Sequence, residues 1–174
     1  MDKHIMLKAF ESLDKKICSK AKLLLGGGGA MVLAHAFPLS TMYIDALFYK
    51  SPITQADVFD EIQEVANELN LPKDWLNPHF GTFLYTLPQD YESRLITIFE
   101  GKHITVNALS IEDLLILKCF AGREKDVPHA RVLIKKLKNI DLVENHLRKL
   151  IDDHIPKARE ANDFFDELLD ELDL

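Results

Sequence analysis

The sequence predicts an α/β protein, a small mixed β-sheet flanked by helices with a helical C-terminal section. Three observations carry this. Residues 23 to 48 read as a short buried strand, a four-glycine turn, a two-turn helix ending at Pro38 and a second strand carrying Asp45. Residues 94 to 99 and 103 to 109 are rich in Ile, Thr, Phe and Val and flank Glu100-Gly101-Lys102, the pattern of a hairpin. From Pro128 onward the apolar residues recur at helical spacing.

The bulk properties frame the reading. A length of 174 residues suits one compact domain with a proper core. We expect one domain over 1–174, with a core of about 20–137 and a helical extension of about 138–174. Apolar content of 47% with 28% charged residues is ordinary for a globular protein. There is no run of membrane-spanning length and no signal-peptide pattern at the amino terminus, so the reading is cytoplasmic, without a membrane partner. Cys18 and Cys119 lack metal-ligand spacing and read as free thiols of a reducing compartment. A formal charge of −7 argues against nonspecific coating of nucleic acid.

Taken in order, Met6, Phe10, Leu13 and Ile17 make one apolar stripe, predicting a helix over residues 3–20. Lys15, Lys16, Lys20 and Lys22 complement the dipole at its end. Leu23 to Leu25 is too short for a helix and follows a change of period. The glycines Gly26 to Gly29 remove every Cβ from the turn, which permits positive φ and lets backbone N–H groups approach an anion. The competing reading is a tight strand-to-helix turn with no ligand. A P-loop fails, because Ala30 and Met31 stand where Lys and Ser or Thr are needed. The dinucleotide fingerprint fits at Gly26 and Gly28, with Asp45 near the ribose position, but fails at Met31. Its helix is also too short for a crossover between parallel strands.

Ser51-Pro52 ends the second strand, and Thr54 with Asp57 caps a helix running to about Asn70. Trp75 in the loop after it reads either as a core anchor or as a stacking surface for a base. Residues 80 to 87 read as a further strand. Ser110 with Asp113 caps a helix that Gly122 stops. Helices near Pro128, Asp141 and Lys157 complete the chain. The stretch from Lys118 to Lys149 is rich in Lys and Arg, including Lys125. Residues 163 to 174 carry six acids and no base among apolar residues. Such a tail could dock on its own basic segment, meet a partner groove or lie on the core as an acidic amphipathic helix, the last being the default. The basic helices could touch RNA, although they show no aromatic interleaving.

Three ordered motifs resemble the bacterial nucleotidyltransferase-like proteins related to abortive-infection and toxin–antitoxin systems, and above all a DUF6036-like group. The first comprises Gly27, Gly28, Gly29, Ala30, His35, Thr41, Tyr43, Ile44 and Asp45. Leu71 to Asn77 form the second, and Glu112 to Leu115, Lys118, Ala121 to Arg123 and Asp126 the third. The resemblance implies a minimal nucleotidyltransferase fold. It also implies transfer of a nucleotide to an RNA or a protein in a toxin–antitoxin or phage-defence setting, with Mg²⁺ and a nucleoside triphosphate. Asp45 would then be the catalytic and metal-binding residue, and Gly27, Gly28, Gly29, Thr41, Lys118 and Arg123 would hold the nucleotide. The competing reading of the last pair is structural, with Lys118 lying along its helix and Arg123 paired with Asp126.

The acids are incomplete for that chemistry. A strand presents residues i and i+2 on one face, so an Asp-x-Asp pair grips metal from one side. Here Tyr43 stands in the first position, residues 94 to 99 contain no acid, and Glu100 only marks their end. The alternative is therefore a catalytically degenerate nucleotide-binding or protein-interaction module of the same fold.

Overall fold

A computed structural model of the chain describes residues 1–38 and 40–172. The chain is α/β, with a five-stranded mixed sheet flanked by helices and a helical C-terminal section. It divides into two compact units, Met1–Gly81 with Leu95–Leu109, and Thr82–Arg94 with Ser110–Leu174.

The first unit holds the sheet. Helix α1 (Lys3–Lys16) starts where the Asp2 carboxylate accepts from the Ile5 N–H. It is shorter than the expected 3–20. Ile17 turns extended at φ −77° and ψ 137°, so its side chain is buried ahead of the strand and not on the helix. Strand β1 (Ala21–Leu25) buries Leu23, Leu24 and Leu25 completely. Helix α2 follows at Gly27–Leu33 and ends before Pro38. Ala36 takes a left-handed φ of +53°, and the Phe37 N–H bonds to the Met31 carbonyl six residues back. This wider closure brings the chain back over the end of α2 through a left-handed alanine, without glycine.

Strand β2 (Ile44–Phe48) runs antiparallel to β1, so the short α2 suffices as their link. A parallel pair would need a longer crossover. A 3₁₀ turn at Ala56–Val58 leads into helix α3 (Phe59–Leu69), closed by Asn70 at φ 51°. Trp75 is fully buried and its indole N–H donates to the Ile62 carbonyl at 3.0 Å, so it anchors the loop in the core. Strand β3 (Leu76–Asn77) pairs parallel to β2. Strands β4 (Ile96–Glu100) and β5 (Ile104–Ala108) form the expected hairpin, and β5 lies parallel to β1, giving the order β3-β2-β1-β5-β4.

The sheet has one dry face. Leu23, Leu25, Ile44, Ala46, Ile104, Val106 and Ala108 are buried there under α1 and α2. The registers put Lys22, Leu24, Asp45, Leu47, Thr105 and Asn107 on the other face. Asp14 ties α1 to the hairpin by accepting the Lys102, His103 and Ile104 N–H groups at 2.9, 2.7 and 2.7 Å.

The residues expected as a strand over 80–87 instead form a 3₁₀ helix, His79–Thr86. Asn77 accepts the His79 N–H through its side chain and Pro78 accepts from Gly81, so turn chemistry overrides the β-prone composition. In the second unit, helix α4 (Ile111–Ala121) begins at the Ser110–Asp113 cap and stops at Gly122, φ 55°, as expected. The fully buried Asp113 takes a bidentate Arg94 at 3.2 and 2.8 Å. Helices α5 (Val127–Ile134), α6 (Ile140–Asp152) and α7 (Ala158–Asp170) follow. The acidic tail is an amphipathic helix of this unit. Phe165 and Leu168 fill its core, and Glu171 accepts both arms of Arg131 at 2.7 and 2.8 Å. Asp173 and Leu174 lie outside the described residues.

Candidate functional site

The glycine turn belongs to the first unit, and side chains distant in sequence pack onto it. Gly26 is extended and its N–H bonds to the Asp45 carbonyl at 2.8 Å, so β1 continues its pairing to the lip of the turn. Gly27, at φ +52°, opens α2. A Cβ there would lie 1.9 Å from Asp45 Oδ2, which puts the carboxylate directly on the first turn of the helix. No other residue type can occupy that position without moving Asp45.

The neighbouring glycines have different surroundings. A Cβ on Gly28 would reach Thr41 at ordinary contact, 3.6 Å from its Cβ. A Cβ on Gly29 would meet Leu25 at 3.1 Å, so that glycine lets α2 lie close on β1. Thr41 is itself fixed by local geometry, its hydroxyl donating to the Tyr43 carbonyl at 2.8 Å. The Thr41 backbone N–H bonds to the Met1 carbonyl, which ties the amino terminus to this loop. Gly27, Gly28, Thr41 and Asp45 are thus brought together.

Phe80 joins them without having been anticipated. Its ring carbon sits 2.8 Å from the position of a Cβ on Gly26, so the ring packs directly against the turn. Reading residues 80 to 87 as a strand hid this contact. The signal available was Asn77-Pro78, a turn initiator just ahead of it. His35, on the turn after α2, bonds through Nε2 to the Leu109 carbonyl at 2.9 Å and ties the end of that segment to the exit of β5.

The acids do not gather around Asp45. Tyr43 lies in a bend before β2 begins, so strand alternation does not carry it to the Asp45 face. The next residue on that face within β2 is Leu47. Across the sheet the same face presents Leu24, Asn107 and Thr97 in one paired row. Asn107 and Thr97 are hydrogen-bonded at 2.9 Å, and the Asn107 amide donates to the Tyr49 hydroxyl at 2.8 Å. This polar chain contains no carboxylate.

Glu100 does share the face, because the irregularity between Thr97 and Phe99 returns it to the side of Thr105 and Lys22. It stands three strands across from Asp45 and about four residues further along, roughly 19 Å away by strand spacing and rise. One cation cannot bridge that distance. Among the described residues no group of three or more His, Cys, Asp or Glu could hold a metal ion. The donor set therefore does not fit a two-metal centre built by the protein.

Lys118 and Arg123 belong to the second unit. Lys118, on α4, is buried and its ammonium is paired with Asp126. Arg123 Nε donates to the other oxygen of the same carboxylate at 2.6 Å, with over half of the arginine side chain exposed. Burial would raise the Asp126 pKa, but the Arg123 and Lys118 contacts outweigh it and hold the carboxyl below its usual range. The Arg123–Asp126 pair is the one that the structural reading of these residues expects, whereas Lys118 joins the same carboxylate instead of lying free along its helix.

Among the described residues no helix is long and apolar enough to cross a membrane. No curated protein and no solved structure matches the chain. The model of a family described as a nucleotidyltransferase of unknown function (DUF6036) matches residues 4–167. Nucleotidyltransferases as a class bind nucleotides and generally use a divalent metal with a nucleoside triphosphate. With nearly its whole length matched, a mixed sheet of the expected kind and a glycine turn closed by Asp45, the chain belongs to this DUF6036 nucleotidyltransferase family.

Proposed function

We propose that the chain is a nucleotide-binding member of its family, with the nucleotide held at Gly27, Gly28, Gly29, Thr41 and Asp45. The observation that carries this is the seat of the Asp45 carboxylate on Gly27, where a side chain would collide at 1.9 Å. A glycine demanded by its own φ of +52° and by a carboxylate is a built feature, and backbone N–H groups at such a turn suit phosphate oxygens. Mg²⁺ would enter bound to the phosphates, with Asp45 as the carboxylate offered to it. On the second unit a separate phosphate contact is proposed for Arg123, whose side chain is more than half exposed, whereas Lys118 is held in its buried pair with Asp126. A cytoplasmic setting fits the two free cysteines.

Transfer is the second reading, favoured by the family description itself. In it a nucleotide passes to an RNA or to a protein, including a cognate partner, in a bacterial toxin–antitoxin or phage-defence setting. Against it stands that, among the described residues, no group of three or more His, Cys, Asp or Glu could hold a metal ion.

Calorimetry of the whole chain with each nucleoside triphosphate, with and without Mg²⁺, tests the binding proposal. We expect saturable binding that Asp45→Asn weakens, and weak Mg²⁺ binding in the absence of nucleotide. No binding of any triphosphate by a folded chain would overturn it. Incubation with labelled triphosphates and total RNA or protein tests the second reading, which requires label on the acceptor that Asp45→Asn abolishes.

A further inference from the structure

The second unit contains a cavity of about 480 Å³ that the nucleotide proposal does not use. It lies between the C-terminal end of α4, the start of α5 and one face of α7. Phe120, Val127 and Phe164 supply apolar wall, with the buried Cys119 behind them. Burial pushes the Cys119 thiol far above its ordinary pKa, so it is wall and not nucleophile. The volume falls in the range of small-molecule sites, about 300–1,000 Å³.

The rim gives this cavity its chemistry. On α7, Glu160, Phe164 and Glu167 follow at helical spacing and share one face, with Lys157 one turn earlier. Glu124 faces them from the turn before α5. All four charged residues are exposed, and none makes an ion pair or side-chain hydrogen bond among the described residues. Three carboxylates against one ammonium leave the rim net negative. A triphosphate would be repelled here. An ammonium carried on an apolar body would bury that body against two aromatic rings and keep its charge among carboxylates, with a cation–π contribution from Phe164.

We propose that this cavity is a binding site for an organic cation, an ammonium carried on an aromatic or branched aliphatic body. Neutral analogues keep the burial and lose the charge, and carboxylate analogues meet repulsion.

The test uses the full chain and three indoles of nearly equal size: tryptamine, indole-3-acetamide and indole-3-acetate. Binding is followed by amide and methyl chemical shifts. Tryptamine should bind saturably and shift resonances around Val127 and Phe164, the acetamide more weakly, and the acetate not at all. The double variant Glu160→Gln/Glu167→Gln, at two exposed positions, should weaken tryptamine about five-fold, and raised salt should weaken it in the wild type. Val127→Trp, which fills the cavity, should abolish binding while thermal melting reports whether that variant is folded. Equal binding of the three indoles, shifts confined to other surfaces, or tryptamine binding unaffected by the double glutamine variant would each overturn the proposal.

Discussion

The seat of Asp45 on Gly27 predicts a sharp contrast between adjacent glycines. Gly27→Ala must place a methyl where Asp45 Oδ2, Cγ and Cβ stand 1.9, 2.7 and 2.9 Å away, at a φ of +52°. The left-handed conformation costs a non-glycine residue about 1–2 kcal/mol, and overpacking typically adds about 1–3 kcal/mol. We expect a loss of about 2–5 kcal/mol by urea denaturation. Gly28→Ala meets only ordinary contact with Thr41 inside a helix, where alanine is favoured by roughly 0.5–1 kcal/mol, so it should be neutral or stabilising. The double variant Gly27→Ala/Asp45→Ala removes the two nearest clashing atoms but keeps the φ cost and the Cβ approach. Its cost should fall below the sum of the single variants by about 1 kcal/mol or more. Equal effects at Gly27 and Gly28, or strict additivity in the double variant, would refute the placement of the carboxylate and with it the proposed site.

Three further outcomes follow from the structure. Burial would raise the Asp14 pKa, but its three backbone N–H partners outweigh that and hold it below the ordinary value. A depressed carboxyl stabilises the fold above its unfolded pKa of about 3.9, and that contribution is lost as pH falls through the lower folded value. Asp14→Asn should therefore cost about 2–3 kcal/mol at neutral pH and flatten the acid limb of the stability curve, read by melting from pH 6 to 2. Deleting residues 163–174 removes part of the core of the second unit. With Phe165 and Leu168 fully buried, the truncated chain should lose cooperative melting of the second unit. Trp75→Phe should cost about 1–2 kcal/mol, because it removes the buried indole bond to the Ile62 carbonyl and leaves a gap where the larger ring stood, and it should leave nucleotide titrations unchanged.

What was legible in the sequence was what short-range chemistry determines. The Leu23–Leu25 strand, the Ser110–Asp113 cap, the Gly122 stop and the Gly101 hairpin each rest on side chains within a few residues of the backbone they direct. The misread boundaries arose where backbone closure came from a residue with no such bias. α2 stops at Leu33, and the left-handed turn after it is made by Ala36, where glycine or asparagine would have announced it. The β-prone run after Pro78 became 3₁₀ because β3, beside it in sequence, is only two residues long and Asn77 starts a turn. At the site, periodicity suggested that Tyr43 and Asp45 share a face, but β2 starts only at Ile44 and leaves Tyr43 in a bend. The return of Glu100 to the Asp45 face depends on an irregularity in β4, and its remoteness depends on strand order. Neither is encoded locally.

Lys118 and Arg123 were grouped as phosphate ligands, yet their surroundings assign them different capacities. Lys118 and Asp126 are both buried, with relative exposures of 8% and 3%. Moving the ammonium to a phosphate would break a buried pair, a loss of about 3–5 kcal/mol, equivalent to roughly 10²–10³·⁵ in affinity. Arg123 engages Asp126 through Nε and keeps 54% of its side chain exposed, so its terminal nitrogens can meet a phosphate while that bond stands. Arg123→Lys keeps the charge and removes the fork. It should weaken triphosphate binding several-fold with little change in melting. Lys118→Met should do the opposite, lowering the melting temperature through the buried Asp126 and affecting nucleotide affinity only as far as folding is lost. Stability and affinity are measured on the same two proteins by thermal melting and calorimetry. If Lys118→Met leaves melting intact and abolishes triphosphate binding, Lys118 is a ligand and its pairing with Asp126 is the resting arrangement of a residue that moves.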